Sequence, residues 1–375
     1  MKNISKTLSA LALAAVLACS AAGCAVGPGK WSYKTADATI SAGSWIYRTY
    51  ESYSDAVSKI TEANQDNPDF DSQLMDITKE KVEDKNAVDW IFDDAKDKCI
   101  SLLTVEKLAK DKKAELDAAT LESAESMYSQ YYKYSDESVA FYEKLGVSEE
   151  SFLECNIRYN YLYQQLFNKL YGKDGEKEVS DADVQKYYTE NYISYYYLSY
   201  SLKTTDDDGN SVDIDAETKE KVTANFNKYR NMLNNDKKTT DDVDEAYKTD
   251  FEAESAPSSS SAVPIESLDE LTISDDLKKA IKESKEKQAT VTTIDDTLYL
   301  IYRNSAAELA KTIKYQEDVD EDESYISKDN VVYVMKKDEY DKYLEEEKKK
   351  LKYETNDSCI AKYSVERLVK LLKEN

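Results

Sequence analysis

Glycine and proline, the residues that turn a chain most sharply, occur only 8 and 4 times in 375 residues. Ordinary usage is about 7% and 5%, so this chain has few sites for tight turns and must run mostly as long helices. Its apolar residues agree. Ile46, Tyr50, Tyr53, Val57 and Ile60 recur every three or four positions, the stripe of an amphipathic helix, which Asn67-Pro68 breaks. A second stripe runs from Val88 through Ile91, Ala95, Cys99 and Leu102 to Leu108, and a third through Leu121, Ala124, Met127 and Tyr131. Gly146 ends a helix, Ser148 opens the next, and Gly172 closes the one through Phe152, Cys155, Tyr159, Leu162, Leu166 and Leu170. Ser180 and Asp183 stand in capping-box-like spacing before one further short helix.

The pattern changes at "NYISYYYLSYSL", residues 191–202. Tyr196, Leu198, Tyr200 and Leu202 alternate with Tyr195, Tyr197, Ser199 and Ser201, the two-residue period of a strand. An acidic, glycine-containing loop leads to a helix near 216–234. "ESAPSSSSAVP", 254–264, reads as a disordered surface loop because serine and proline dominate it. A helix around Leu277 and Ile281 follows. Two β-prone runs joined at Asp295-Asp296 then predict a hairpin. The remainder is helical, with "EEEKKKLK" as a solvated helix supported by pairs four residues apart. The fold class expected is mostly α with an α+β insert.

Composition excludes several functions. Acidic residues number 75 against 50 basic ones, a net charge of −25, which argues against nucleic-acid partners. The chain has no histidine. That removes the commonest general base and metal ligand, and with it Ser-His-Asp or Cys-His catalysis and HExxH zinc sites. No phosphate-binding glycine loop is present, and no cofactor or metal is expected. Cys99, Cys155 and Cys359 lie in helical patterns without a CxxC pair; they read as small buried hydrophobes, with one disulfide left open.

Lys2 and Lys6 precede an apolar run at 7–18 that is shorter than the roughly 20 residues needed to span a bilayer. It is followed by "VLACSAAGC", which resembles the bacterial lipoprotein signal, in which the cysteine after the cut becomes the lipidated first residue. Cys24, after Ala22 and Gly23, fits that pattern better than Cys19. An ordinary cleaved signal with a soluble product is the alternative. Cleavage before Cys24 leaves 352 residues, and lipid on its sulfur and amine would hold them at a membrane surface.

The order of these parts resembles the PrsA and SurA type of extracytoplasmic foldase, in which a helical chaperone domain, completed by a returning C-terminal segment, flanks parvulin-type peptidyl-prolyl isomerase domains. The likeness is carried by "ATISAGSWIYRTYESY", "KLGVSEESFLECNIRYNYLYQQLFNKLYG", "VSDADVQKYYTENYISYYYLSYSL", "LKKAIKESKEKQATVTTIDDTLYLIYR" and "DEYDKYLEEEKKKLKYETNDSCIAKY". It implies a lipoprotein signal at 1–23, a tether at 24–36, a helical chaperone domain at 37–189, a parvulin-like domain at 190–305 and a returning helical segment at 306–375. It implies unfolded or newly secreted proteins as partners, together with the membrane reached through the N-terminal lipid, and a location outside the cytoplasmic membrane.

The departures bear on activity. Active parvulins usually carry histidines where this chain has "YYYLSYSL" and "LYLIYR", and a Gly-Gly segment where it has "APSSSSAVPIESL". Prolyl isomerisation needs no covalent chemistry, since a pocket that desolvates and twists the imide can lower its barrier of about 20 kcal/mol. The resemblance therefore implies a foldase with a weak or inactive isomerase module; an active isomerase is the alternative. Tyr196 and Tyr200 read as core, while Tyr195 and Tyr197 face the other way and are candidates for peptide binding. Tyr131, Tyr132 and Tyr134, or Tyr159, Tyr161 and Tyr163, offer similar surface. A solute-binding lipoprotein or a wall-bound structural protein would also carry such a signal, but Gly-rich ligand loops and internal repeats are not visible.

Overall fold

With so few glycines and prolines, the helices are started by side chains. Ser41, Ser135, Ser148, Ser180, Asp215, Thr239 and Ser274 each accept a hydrogen bond from the main-chain N–H three residues on, satisfying donors that a helix leaves open at its N-terminus. The computed structural model describes residues 31–373 apart from 73, 115–117 and 320–323. The signal, Cys19 and Cys24 lie outside the described residues. The chain is mostly helical with small sheets.

From the amino end, β1 (Trp31–Lys34) and β2 (Thr39–Ser41) lead into α1 (Ala42–Ala63), α2 (Ala87–Lys112), α3 (Ala118–Tyr132), α4 (Asp136–Leu145) and α5 (Glu149–Leu153). A π-helical turn, Glu154–Arg158, joins α5 to α6 (Tyr159–Tyr171). Next come α7 (Asp181–Asn191), β3 (Tyr192–Ser201), α8 (Ala216–Asn234), α9 (Thr240–Phe251), β4 (Ser258–Pro264), α10 (Asp275–Glu283), β5 (Thr290–Ile294) and β6 (Thr297–Arg303). Finally α11 (Ala306–Leu309) precedes α12 (Lys328–Lys350), β7 (Glu354–Thr355), α13 (Asp357–Lys362) and α14 (Val365–Lys373).

The chain divides into two compact units. One contains the described residues up to Glu178 and those from Lys336 onward; the other is Val179–Met335. These bounds fall at 178/179 and 335/336, where 189/190 and 305/306 are expected from the sequence. The reason is local packing within the second unit. Tyr188 of α7 stacks on Tyr192 of β3 at 4.4 Å, and buried Lys328 reaches Asp181 at 2.6 Å.

In the first unit, Tyr33, Ile40, Trp45, Leu103, Phe152 and Leu368 share one core. Gly43 is required here, because a Cβ on it would lie 2.3 Å from Ser151 Oγ. The expected tether is corrected at its end: Trp31–Lys34 is a strand, paired with β2 and with β7. One of these partners, β7, lies some 320 residues away, beyond the reach of any local pattern. Cys99, Cys155 and Cys359 are buried, and no disulfide joins them among the described residues.

In the second unit the sheet order is β4-β3-β6-β5, with every neighbouring pair antiparallel. The disordered loop expected at 254–264 is corrected: Ser258–Pro264 is an edge strand in register with β3, from Ser258 opposite Leu198 to Pro264 opposite Tyr192. Serine side chains have little to pack, so periodicity carries no signal, yet the main chain still pairs. Asp295 and Asp296 form the two-residue hairpin turn with φ of 49° and 59°, the left-handed pair that such turns need.

Candidate functional site

The tyrosines of β3 are placed first, because the sequence singles them out. Tyr196 and Leu198 pack with Val222, Phe226 and Tyr229 of α8 and with Val243 of α9. The Tyr196 hydroxyl donates to Asp244 at 2.7 Å, and burial together with that carboxylate pushes its pKa up. Tyr195 and Tyr197 do face the other way, but that face is covered too. Tyr195 is buried with Ile193, Leu268, Leu277, Ile281 and Ile301. Tyr197 is half-buried, its ring parallel to that of Tyr195 at 6.2 Å and edge-on to Tyr299 at 5.9 Å. On this face α10 and the turn before it close over Tyr195 and leave Tyr197 half-buried, giving the strand two cores.

The open aromatic surface lies in the first unit. Helix α3 buries Ala124 and tucks Leu121 and Tyr128 partly away. Flanking that buried face are Met127 and Tyr131, 44% and 60% exposed, and Tyr134 just beyond the helix is 83% exposed. A shallow depression runs along Ala119, Glu122, Ser123, Ser126, Met127 and Gln130, most of them small or uncharged. Tyr128 and Tyr131 meet edge-on at 5.9 Å. Glu122, Glu125, Asp136 and Glu137 are exposed and neighbour this stripe along the chain, while Lys133 is engaged by Glu149 at 2.7 Å. The result is an apolar, aromatic strip in an acidic frame. Tyr132, named with Tyr131 and Tyr134 from the sequence, is instead buried, stacked on Tyr142 at 5.3 Å. Tyr159, Tyr161 and Tyr163 are half-buried, and Tyr163 donates to Asp341 at 2.7 Å.

A buried charged cluster went unread in the sequence. Arg158 Nε lies 2.7 Å from Glu106, and its Nη1 is 3.5 Å from Glu154. Ser44 donates to Glu154 at 2.5 Å, and Arg48 reaches both Glu51, at 2.6 Å, and the carbonyl of Cys155, at 2.7 Å. The π turn, Glu154–Arg158, supplies Glu154, the Cys155 carbonyl and Arg158 to this cluster. Burial pushes the Glu106 carboxyl up to about 7 against the pull of Arg158, and burial also raises Glu154. The only clue in the sequence is a glutamate at a core position of "LLTVEKLAK".

Among the described residues no group of cysteine, aspartate and glutamate side chains is arranged to hold a metal ion, and no helix is long and apolar enough to cross a membrane. No protein-family model matches the chain, and no curated protein is significantly similar to it.

Proposed function

We propose that this protein is a lipid-anchored, extracytoplasmic chaperone of the PrsA and SurA type that holds unfolded or newly secreted polypeptides. In this reading the second unit is a parvulin-like module with weak or no isomerase activity. The observation that carries the proposal is the exposed strip of Met127, Tyr131 and Tyr134 within its acidic frame. An unfolded chain presents short apolar runs in no fixed order. A flat strip of thioether and phenol groups accepts such runs without demanding a sequence. Covering roughly 200 Å² of apolar surface contributes about 5 kcal/mol before ordering costs, which gives weak, exchanging contacts suited to holding and release. The acidic frame favours client segments carrying lysine or arginine, and a net charge of −25 discourages self-association.

The inactive reading of the second unit is favoured by the Tyr196 hydroxyl, committed to Asp244, and by the burial of Tyr195. These residues occupy the stretch where the resemblance would place a histidine.

The test is suppression of aggregation of a denatured secreted protein at near-stoichiometric ratio. The chain from Cys24 onward is expected to suppress it, and the Met127→Ser/Tyr131→Ser/Tyr134→Ser variant to lose at least half of the effect while keeping its helical circular dichroism. Absence of suppression by the unaltered chain, together with absence of isomerase activity, would end the proposal.

A further inference from the structure

The two edges of the β4-β3-β6-β5 sheet are treated differently. At the start of the β5 edge, the Asn234 side chain donates to the carbonyl of Ala289 at 3.0 Å and accepts from its N–H at 2.7 Å. That edge is thus partly sealed by the protein itself. No such seal exists along β4. Ser199 N–H donates to the carbonyl of Pro257, and Ile265 N–H donates to the carbonyl of Asn191, at 3.1 and 2.8 Å. These two bonds flank the paired stretch and fix its phase, because main-chain groups in an antiparallel pair alternate in direction residue by residue. Ser259, Ser261 and Val263 therefore turn their N–H and C=O toward β3. Ser258, Ser260 and Ala262 turn theirs outward, as does the carbonyl of Pro264. Among the described residues, nothing bonds the main-chain N–H or C=O of Ser258, Ser260 or Ala262, and Ser260 and Ala262 are exposed.

An unprotected edge of this kind is a template for another strand, and proteins ordinarily blunt it with charge, bulges or cover. Among the described residues β4 shows no charge, bulge or cover, and its one proline, Pro264, stands at its end. Its seven residues, Ser258–Pro264, include no charged side chain, and the register from Tyr192 to Leu198 runs without a bulge.

We propose that β4 receives an extended polypeptide segment as an added fifth strand, hydrogen-bonded to the outward main-chain groups of Ser258, Ser260 and Ala262. This rests on the reading of the protein as a holder of unfolded polypeptides and names a second place where it takes hold of them. Main-chain pairing reads no sequence, which suits a client without consensus, and its specificity comes from alternate side chains. On one face those side chains lie beyond Ser259 and Ser261, whose cross-strand neighbours are Tyr197 and Tyr195. The small serines leave the half-buried Tyr197 ring within reach of a large apolar residue on the added strand, so bound segments carry such residues at every second position. A second copy of this chain is the poorer occupant, because pairing β4 with β4 would bring together two bodies of net charge −25 each.

The experiment measures binding of a fluorescent peptide, Lys-Val-Thr-Val-Thr-Val-Lys, to the chain from Cys24 onward with Cys24→Ser, by anisotropy. Ser260→Pro removes one outward N–H and leaves the bonds between β4 and β3 intact; Ala262→Lys adds a charge to the edge. Each is expected to weaken binding at least tenfold without shifting the thermal unfolding midpoint by more than a few degrees. N-methylation of alternate peptide residues on one edge is expected to abolish binding, and the Met127→Ser/Tyr131→Ser/Tyr134→Ser variant to bind the peptide as the unaltered chain does. That last arm separates this proposal from the first surface, since loss of aggregation suppression alone leaves peptide binding at β4 measurable. Equal binding of the N-methylated peptide, unchanged affinity in Ser260→Pro, no binding at all, or a dimer that Ser260→Pro dissociates would each overturn it.

Discussion

The indole N–H of Trp45 donates to the main-chain carbonyl of Tyr363, 318 residues further along the chain, at 3.0 Å. Trp45 is fully buried, edge-on to Tyr33 and Phe92, so this bond ties the C-terminal segment into the core built by the N-terminal helices. Replacing Trp45 with Phe leaves the carbonyl of Tyr363 without its donor and the site under-filled. The expected cost is about 2–3 kcal/mol, read as a lower urea midpoint by circular dichroism. An unchanged midpoint would show that the C-terminal segment is not part of that cooperative unit.

The Glu106 cluster makes stability depend on pH. Glu106 and Glu154 share Arg158, so full ionisation sets two largely buried carboxylates against the one guanidinium that meets both. Burial holds the folded-state carboxyl of Glu106 at about 7, above its ordinary 4.5. Between those values the folded protein binds more protons than the unfolded one, so stability falls as pH rises from about 4.5 to about 7. The span is on the order of 3 kcal/mol. Urea titrations across that window are expected to show this decline in the unaltered chain and a flatter profile in Glu106→Gln. Equal slopes would assign the effect elsewhere.

Asp295 and Asp296 hold the β5–β6 turn with positive φ at both positions. Glycine adopts this conformation without steric cost. Asp296→Gly is expected to stabilise the second unit by about 0.5–1 kcal/mol, and Asp296→Val to destabilise it by more than that. Thermal unfolding of both variants checks the sign.

Much of this architecture was legible because helices announce themselves through a repeating apolar stripe. The helix near 216–234 and the hairpin at Asp295-Asp296 stand where the pattern puts them. What could not be read was cover supplied from far along the chain. Alternation in β3 separates Tyr195 and Tyr197 from Tyr196, but it cannot say that α10, some 80 residues later, closes over the second face. The same holds for Trp31–Lys34, one of whose two partners is at Glu354–Thr355. β4 escaped notice because its order comes from main-chain pairing, to which serine side chains add no periodic signal. The strip on α3 was partly legible: Tyr131 and Tyr134 are open while Tyr132 between them is buried, a distinction set by where the helix turns and where it ends, and invisible in a run of tyrosines.

The first unit is discontinuous in sequence, interrupted by Val179–Met335, and this has a consequence for the newborn molecule. Chains emerge from the ribosome amino end first, and domains generally fold as units in that order. Here the later-made unit has all of its parts as soon as Met335 has appeared, whereas the earlier-made one still lacks β7, α13 and the carbonyl that receives Trp45. Assembly therefore runs inside out, with the leading residues held incomplete until Lys336–Asn375 has been made: until then the protein is itself an unfolded client of the kind it is proposed to hold.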